Sequence, residues 1–402
     1  LGAGRRKVPA PLAARVLATA GHAHDWDDTQ VSHDPAHVYG LLTHPTIPPL
    51  TAALVMAQKL GGVDGRTFLT AFLAGFEVEC KISEWMKPDH YRRGHHSSGT
   101  VGTFGAAMAA AKLLGLSGGR LRACLGLAAS FAAGIRCNFG TMTKPLHVGR
   151  AAENGVTAAL LAAKGFEADP NALDGRWGFA QVLAGGYDEA KLPQGFGRTW
   201  TIVDPGVSIK PYPSGILTHQ SMDAMLKLVS DHDVRPEQVE KITFFAGRNI
   251  LEPIRYPFAQ DHLQAKFSMA ALLSMIVLNR RAGRMEFTSA FVRSPAFADM
   301  QRRVEVVNDN AIDAMGYDRI RSRIELDTRD GRRLVQWADE RYRGGPLLPM
   351  SDAEVEDKFR AATAGLIDAA HQRRLLDLAW AAPSLDDAGA LAQALAIELP
   401  RR

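Results

Sequence analysis

Apolar residues recur at helical spacing through the first half of the chain, and strand-like alternation is confined to the second half. Over residues 65–86, Phe68, Leu69, Phe72, Leu73 and Phe76 fall three and four positions apart, which places them on one face of a helix. The runs 100–116 and 121–135 are apolar almost all round, the pattern of buried helices whose Gly and Ala positions let neighbours approach closely. A further helix is predicted over 145–164, with Pro145 in its first turn and Gly165 just past its end. After about residue 203 the pattern changes. Pro205, Pro211 and Pro213 break helical spacing, and residues 241–246 read as a strand. Residues 323–327 alternate with period two, and Asp330-Gly331 offers a hairpin turn before a second strand at 334–336. A helix is expected near 265–282, and Ser351-Asp352-Ala353-Glu354 reads as a capping box that opens a helical tail over 351–400.

This order of blocks predicts a mainly α protein with an α+β domain. Residues 1–205 and 346–402 would form an all-helical domain from both chain ends, and residues 206–345 an inserted α+β lid. No internal repeat or low-complexity segment occurs.

Composition narrows the partners. Of 402 residues, 46% are hydrophobic and 22% charged, ordinary globular usage that excludes wholesale disorder. The net charge of +4 is too small and scattered to argue for nucleic acid, and it suits an anionic small molecule. Cys80, Cys124 and Cys137 form neither a disulfide framework nor a CxxC pair, so a reducing cytoplasm is expected. Residues 1–7 have no apolar core behind them, and no secretory signal is expected. The longest stretch without Asp, Glu, Lys or Arg, 35–58, holds His37, His44 and four prolines and is no membrane helix.

Four polar segments interrupt the apolar pattern. His22-Ala23-His24-Asp25-Trp26-Asp27-Asp28-Thr29 sets three carboxylates within four residues, which repel one another unless solvated, protonated or paired. Three readings stay open there: a metal site, a cap and loop walling a polar pocket, or a solvated loop. In the segment His90-Tyr91-Arg92-Arg93-Gly94-His95-His96, a histidine is a candidate proton-transfer group because its pKa lies near neutrality. Residues 138–147 put small and hydroxyl side chains and Lys144 at a helix N-terminus, whose free N–H groups and dipole attract anions. A cation is unusual at that end, so Lys144 is read as placed for a ligand carboxylate. The prolines of 208–214 hold Lys210 on a rigid loop at the boundary between blocks, where ligand clefts are common. No GxGxxG, P-loop, GxSxG or zinc-finger spacing is present. The inventory suggests cofactor-free acid/base chemistry on a carboxylate-bearing substrate.

At these same segments the chain resembles the MmgE/PrpD family, whose members include 2-methylcitrate dehydratase, cis-aconitate decarboxylase and iminodisuccinate epimerase. The resemblance spans essentially the whole chain. It rests on 22–29, Thr43-His44-Pro45, His96 ahead of Val101-Gly102-Thr103, Thr143-Lys144-Pro145-Leu146-His147, Lys210-Pro211-Tyr212-Pro213-Ser214 and Ala265-Lys266-Phe267-Ser268. It starts inside the family's first helical region, so an initial helical hairpin is expected to be missing from a chain that opens on Leu1. It implies a homodimer, a helical domain made from both chain ends, and an α+β lid. It also implies a cleft between the domains lined by Asp25, Thr29, His44, His96, Lys144 and Lys210. Tyr91 sits where epimerase-like members carry a tyrosine.

Two positions depart from the decarboxylase-like members. Gly215 stands where those members have His and the dehydratases usually Cys, and Met269-Ala270-Ala271 replaces a tyrosine. These departures point toward loss of water or epimerisation, both of which begin by abstracting a proton next to a carboxylate. The expected activity is a cofactor-independent dehydratase of a hydroxylated di- or tricarboxylic acid, with no metal. Lys144, Lys210 and His44 would bind carboxylates, with Thr29 beside them and no buried structural partner for either lysine. His96 would be the base and Asp25 its alternate, while Tyr91 would return a proton in the rival epimerase reading. Two further alternatives are a metal-dependent hydrolase using His22, His24, Asp25 and Asp28, and a degenerate binding protein marked by Gly215 and Ala271.

Overall fold

Small residues decide how the first half packs. Ala and Gly along the helix Gly102–Leu113 let Ile47–Leu60, Gly65–Trp85 and Thr143–Ala163 close upon it. At Gly75 an added Cβ would lie 2.4 Å from the Gly105 carbonyl oxygen, and at Gly155 it would lie 2.5 Å from Ala106 Cβ. Phe68, Phe76 and Phe104 fill the spaces that remain. The helix Ala10–His22 lies along Thr143–Ala163 and ends beside the polar segment that follows it. The computed structural model describes residues 7–32, 43–191, 196–316 and 319–396. The opening residues 1–6, the 35–42 part of the uncharged stretch with His37, and 397–400 of the expected tail lie outside them.

The chain's end returns to this helical core. Gly65 N–H donates to the Leu385 carbonyl at 2.7 Å, Ala388 N–H donates to the Val63 carbonyl at 2.8 Å, and Gly389–Ala394 rests on Ile47–Leu60. The capping box forms as expected, with Glu354 N–H donating to Ser351 Oγ and Ser351 N–H donating to Glu354 Oε2.

A second apolar core gathers around a four-stranded sheet. Its strands are β3 (Val239–Ala246), β4 (Val304–Asn308), β5 (Ser322–Thr328) and β6 (Arg333–Trp337), in the order β4-β3-β5-β6. The β5–β6 hairpin turns at Asp330-Gly331 with Leu326 opposite Leu334, while β3 and β4 run parallel because helices connect them. His219–Asp231 and Met269–Asn279 cover one face of this sheet. Elsewhere, β1 (Asp28–Gln30) and β2 (Val207–Ile209) form a two-stranded antiparallel ribbon, which ties the polar segment after His22 to the strand leading into Lys210.

Two helical expectations need correction. The helix predicted over 100–116 starts earlier, as Ser97–Thr100, breaks at Val101 and resumes as Gly102–Leu113. The run 121–135 forms Gly118–Phe131, but only Cys124, Gly126, Leu127 and Ala128 are buried on it. Gly102–Leu113 and Thr143–Ala163 pack against it, and Ala168 and Ala172 meet it at Gly126. Among the described residues no helix is long and apolar enough to cross a membrane.

Candidate active site

Each end of an apolar helix delivers one polar group to a common point. His22 closes the helix Ala10–His22, and Asp25 then turns the chain at φ 53°, a left-handed conformation that a short polar side chain tolerates better than most. His44 precedes Ile47–Leu60, with its N–H donated to Ser98 Oγ at 2.8 Å. His96 precedes Ser97–Thr100, and its N–H donates to the Gly134 carbonyl. Lys144 lies in the first turn of Thr143–Ala163. From the other core, Lys210 N–H donates to the Asp27 carbonyl at 3.1 Å, which carries its side chain inward from the end of β2.

The charges meet at Asp25. Lys144 Nζ lies 2.9 Å and Lys210 Nζ 2.6 Å from the same Asp25 oxygen, and all three side chains are buried. Lys144 also reaches His22 Nε2 at 2.7 Å, and His22 Nδ1 meets Asp27 Oδ2 at 2.8 Å. The Asp27 carboxylate, which only accepts, settles the tautomer: His22 donates from Nδ1 to Asp27 and accepts from Lys144 at Nε2. Burial opposes ionisation of Asp25, but the two ammonium groups override it and hold the carboxyl well below the usual range. Asp25 is thus a counter-ion and too weak a base for its alternate role. Both lysines have a buried structural partner, contrary to the sequence-based expectation.

His44 also differs from expectation. Its Nδ1 lies 2.5 Å from the Asp28 carbonyl oxygen, an atom that only accepts, so Nδ1 carries the proton. Burial pushes its pKa down to about 3, which leaves the ring neutral with Nε2 as a bare acceptor. Such a ring cannot clamp a carboxylate, but it can accept a hydrogen bond from a substrate hydroxyl. Thr29 Oγ1 sits 3.4 Å from the same Nδ1, behind the ring.

A cavity opens beside these groups. On one wall stand Asp25, His44, Tyr91, His96 and Lys144, backed by the Phe139 ring. Gly215, Ile216, Leu217, Pro253, Ile254 and Phe267 form the other. Thr29 and Lys210 do not reach the lining and act through His44 and Asp25. The Tyr91 ring lies beneath the Arg136 guanidinium, 3.9 Å from its centroid. His96 Nδ1 is 3.0 Å from His147 Nδ1, while its Nε2 is buried without a hydrogen-bond partner. Burial, reinforced by Lys144, holds His96 well below the ordinary histidine range, so the ring is neutral.

The segment 22–29 is therefore a buried pocket wall rather than a solvated loop. The hydrolase set is not assembled, because His24 turns away toward Lys266, Arg284 and His262, while His22 and Asp25 face Lys144. Among the described residues three other groups of donors lie close together: His22, His44 and His96; His22, Asp25 and Asp27; and Asp27, Asp28 and His44. Lys144 or Lys210 already occupies the coordination space of His22 and Asp25 in the first two of these groups. Sequence reasoning missed the apolar wall and the contact of His147 with His96. Apolar residues at a site look like core residues in sequence, and only the motif Thr143–His147 hinted at the second.

Residues 1–191 match the MmgE/PrpD N-terminal domain and residues 212–382 match the MmgE/PrpD C-terminal domain. Cis-aconitate decarboxylase of Homo sapiens is 30% identical over 363 residues, covering 88% of this chain and 73% of that protein. The Mus musculus cis-aconitate decarboxylase is 29% identical over 398 residues, covering 97% and 79%. That of Aspergillus terreus is 24% identical over 403 residues, covering 94% and 79%.

Proposed function

The chain belongs to the MmgE/PrpD family and is a lyase, and on that footing we propose that it is a hydro-lyase, removing water from a hydroxy acid after proton abstraction next to a carboxylate. The observation that carries this reading is the bare, buried Nε2 of a neutral His96 facing a cavity that also holds the Lys144 ammonium. A neutral imidazole is the base form, and it needs no further activation to accept a proton. Its pKa is held low first by burial and then by the Lys144 ammonium; a substrate carboxylate on Lys144 would offset the second of these and strengthen the base.

In this mechanism the substrate carboxylate lies on Lys144, and its hydroxyl donates to His44 Nε2. His96 Nε2 takes the carbon-bound proton, and the electron pair moves toward the carboxylate, where Lys144 meets the developing charge in a water-poor cavity. The pair then forms the C=C bond as the C–O bond breaks, and Tyr91 supplies the proton that lets hydroxide leave as water. Proton return from His96 to Tyr91 through solvent closes the cycle. His147 keeps His96 productive: with His96 donating Nδ1–H to His147 Nδ1, the lone pair is left at Nε2.

Among the described residues, every protic side chain on the lining comes from the helical core, and the lining residues of the sheet core carry none. Epimerisation needs a second acid/base group on the opposite face of the substrate, so this one-sidedness supports elimination. A second reading, decarboxylation, is favoured by the relatives, which carry the name cis-aconitate decarboxylase. The test is a panel of hydroxy and unsaturated acids assayed in parallel for alkene absorbance, CO2 release and loss of optical rotation. Alkene formation without CO2 is expected, and His96→Gln should lower kcat by ~10²–10⁴ with substrate affinity nearly unchanged. CO2 release from an unsaturated acid in place of alkene formation would move the assignment to decarboxylation, and full activity in the His96 variant would remove the base.

A further inference from the structure

One more ammonium is buried where the two cores meet, and the mechanism does not use it. Lys266 follows the short helix His262–Ala265 of the sheet core, is 4% exposed, and stays outside the cavity lining. Its Nζ donates to the His24 carbonyl at 2.6 Å and lies 3.4 Å from the Ala23 carbonyl. Among the described residues these carbonyls are its hydrogen-bond partners, and no carboxylate lies within ion-pair reach of it. An ammonium held in the interior without a paired carboxylate is costly. Burial, opposed by Asp25 and Asp27 and reinforced by Lys210 and Lys144, brings its pKa down to about 7. A link made for stability alone would cost less from a neutral side chain.

What Lys266 grips is the peptide that enters Asp25. The His24 carbonyl belongs to the same peptide unit as the Asp25 N–H, and that N–H donates to the His22 carbonyl at 2.9 Å. Both ends of the peptide are therefore held, one by the end of the helix Ala10–His22 and the other by the facing core. Asp25 itself is left-handed, at φ 53°, a conformation that a residue other than glycine keeps only where its surroundings enforce it. From that turn its carboxylate reaches Lys144 and Lys210, and Lys144 stands on the cavity lining. The same residue also sets the other wall. The Lys266 carbonyl accepts from the Gly215 N–H at 3.0 Å, and both Gly215 and the adjoining Phe267 line the cavity.

We propose that Lys266 is a positioning residue: from the sheet core it holds the His24–Asp25 peptide and fixes the turn that aims Asp25 at Lys144 and Lys210. It acts through Asp25, and it ties the placement of the Lys144 ammonium to the position of the facing wall. The Asp25 geometry stands on its own; the binding measurement that accompanies it rests on the carboxylate-binding reading proposed above.

Three variants separate the hydrogen bond from the charge. Lys266→Met removes both, Lys266→Gln keeps a neutral donor, and Lys266→Arg keeps donor and charge. The crystal structure of Lys266→Met should show Asp25 out of its left-handed turn, with its carboxylate beyond about 4 Å from Lys144 Nζ. Calorimetric titration with tricarballylate, an unreactive acid, should weaken about 10- to 100-fold in Lys266→Met. Lys266→Gln and Lys266→Arg should both bind at least about fivefold tighter than Lys266→Met. An Asp25 that keeps its turn in Lys266→Met would overturn the inference. So would Lys266→Gln binding as weakly as Lys266→Met while Lys266→Arg matches the parent, because charge alone would then decide. Should Lys266→Met fail to fold, Lys266→Gln carries the test: Asp25 in place and binding within about threefold of the parent is expected. Asp25 in place with binding weakened more than about tenfold would overturn the inference. A parent protein that does not bind tricarballylate would overturn the carboxylate-binding reading, and the Asp25 geometry would still decide the role of Lys266.

Discussion

Asp25→Asn keeps the shape of the side chain and removes the charge that two lysines share. Lys144 and Lys210 lie 2.9 and 2.6 Å from one Asp25 oxygen. At an effective dielectric constant of about 20, each attraction is roughly 6 kcal/mol. The full sum is not lost, because a lysine stranded in the interior escapes by deprotonating. From an ordinary pKa near 10.4 that escape costs about 5 kcal/mol at pH 7. Burial already holds Lys144 below its usual range, so its escape is cheaper still. The expected loss of folding stability is therefore about 3–5 kcal/mol, the range for removing one partner of a buried pair. Urea denaturation at pH 7 and pH 9.5 measures it. The sign with pH is specific: in the variant the lysine pKa values fall on folding, so the unfolded chain binds more protons and stability rises with pH. The deficit should shrink by up to about 1.4 kcal/mol per pH unit for each stranded lysine. Adding Lys210→Met should restore part of the loss. A deficit below about 1 kcal/mol at pH 7, or one of equal size at both pH values, would refute the counter-ion role and return Asp25 to the list of bases.

Three further outcomes are expected. His147→Ala should lower kcat roughly 10- to 100-fold, less than loss of the base, and His147→Asn should recover much of it because its carbonyl oxygen can accept from His96 Nδ1; equal activities in the two variants would remove the tautomer role. Asp28 is buried beside Asp27 and its pKa is pushed up to about 7, so its contribution to stability is full below about pH 3.8 and is lost as pH rises through 7. Asp28→Asn should accordingly gain about 1–4 kcal/mol at pH 8 and little at pH 4, and urea midpoints that match the parent at pH 8 would count against it. Finally, the exposed side of Gly118–Phe131, with Ile135, Trp177 and Val182 exposed nearby, supports a homodimer. Sedimentation at micromolar concentration should show the pair, and a stable 43.5 kDa species would oppose it.

Local pattern was enough to read the elements. Spacings of three and four found Gly65–Trp85 and Thr143–Ala163, alternation found the β5–β6 hairpin, and Ser351-x-x-Glu354 marked its helix start. These signals are legible because caps, turns and periodic faces act within a few residues of chain. The half-exposed helix Gly118–Phe131 was not, since an apolar sequence states that cover is needed and not where it comes from.

For the site, the sequence by itself determined which chemical groups were available: His96 and Lys144 at helix starts, Lys210 on a proline-held loop, and acids crowded after His22. Tertiary structure alone decided their states. Whether Asp25 is a base or a counter-ion depends on two ammonium groups that arrive from 119 and 185 residues away, and only folding sets that distance. The proton on His44 is placed by the Asp28 carbonyl, and His96 Nδ1 is brought within 3.0 Å of His147 Nδ1, neither of which a residue list can specify. The apolar wall was hidden for the same reason. Ile216, Ile254 and Phe267 have the sequence signature of core residues, and they become a cavity wall only because the fold leaves space beside them.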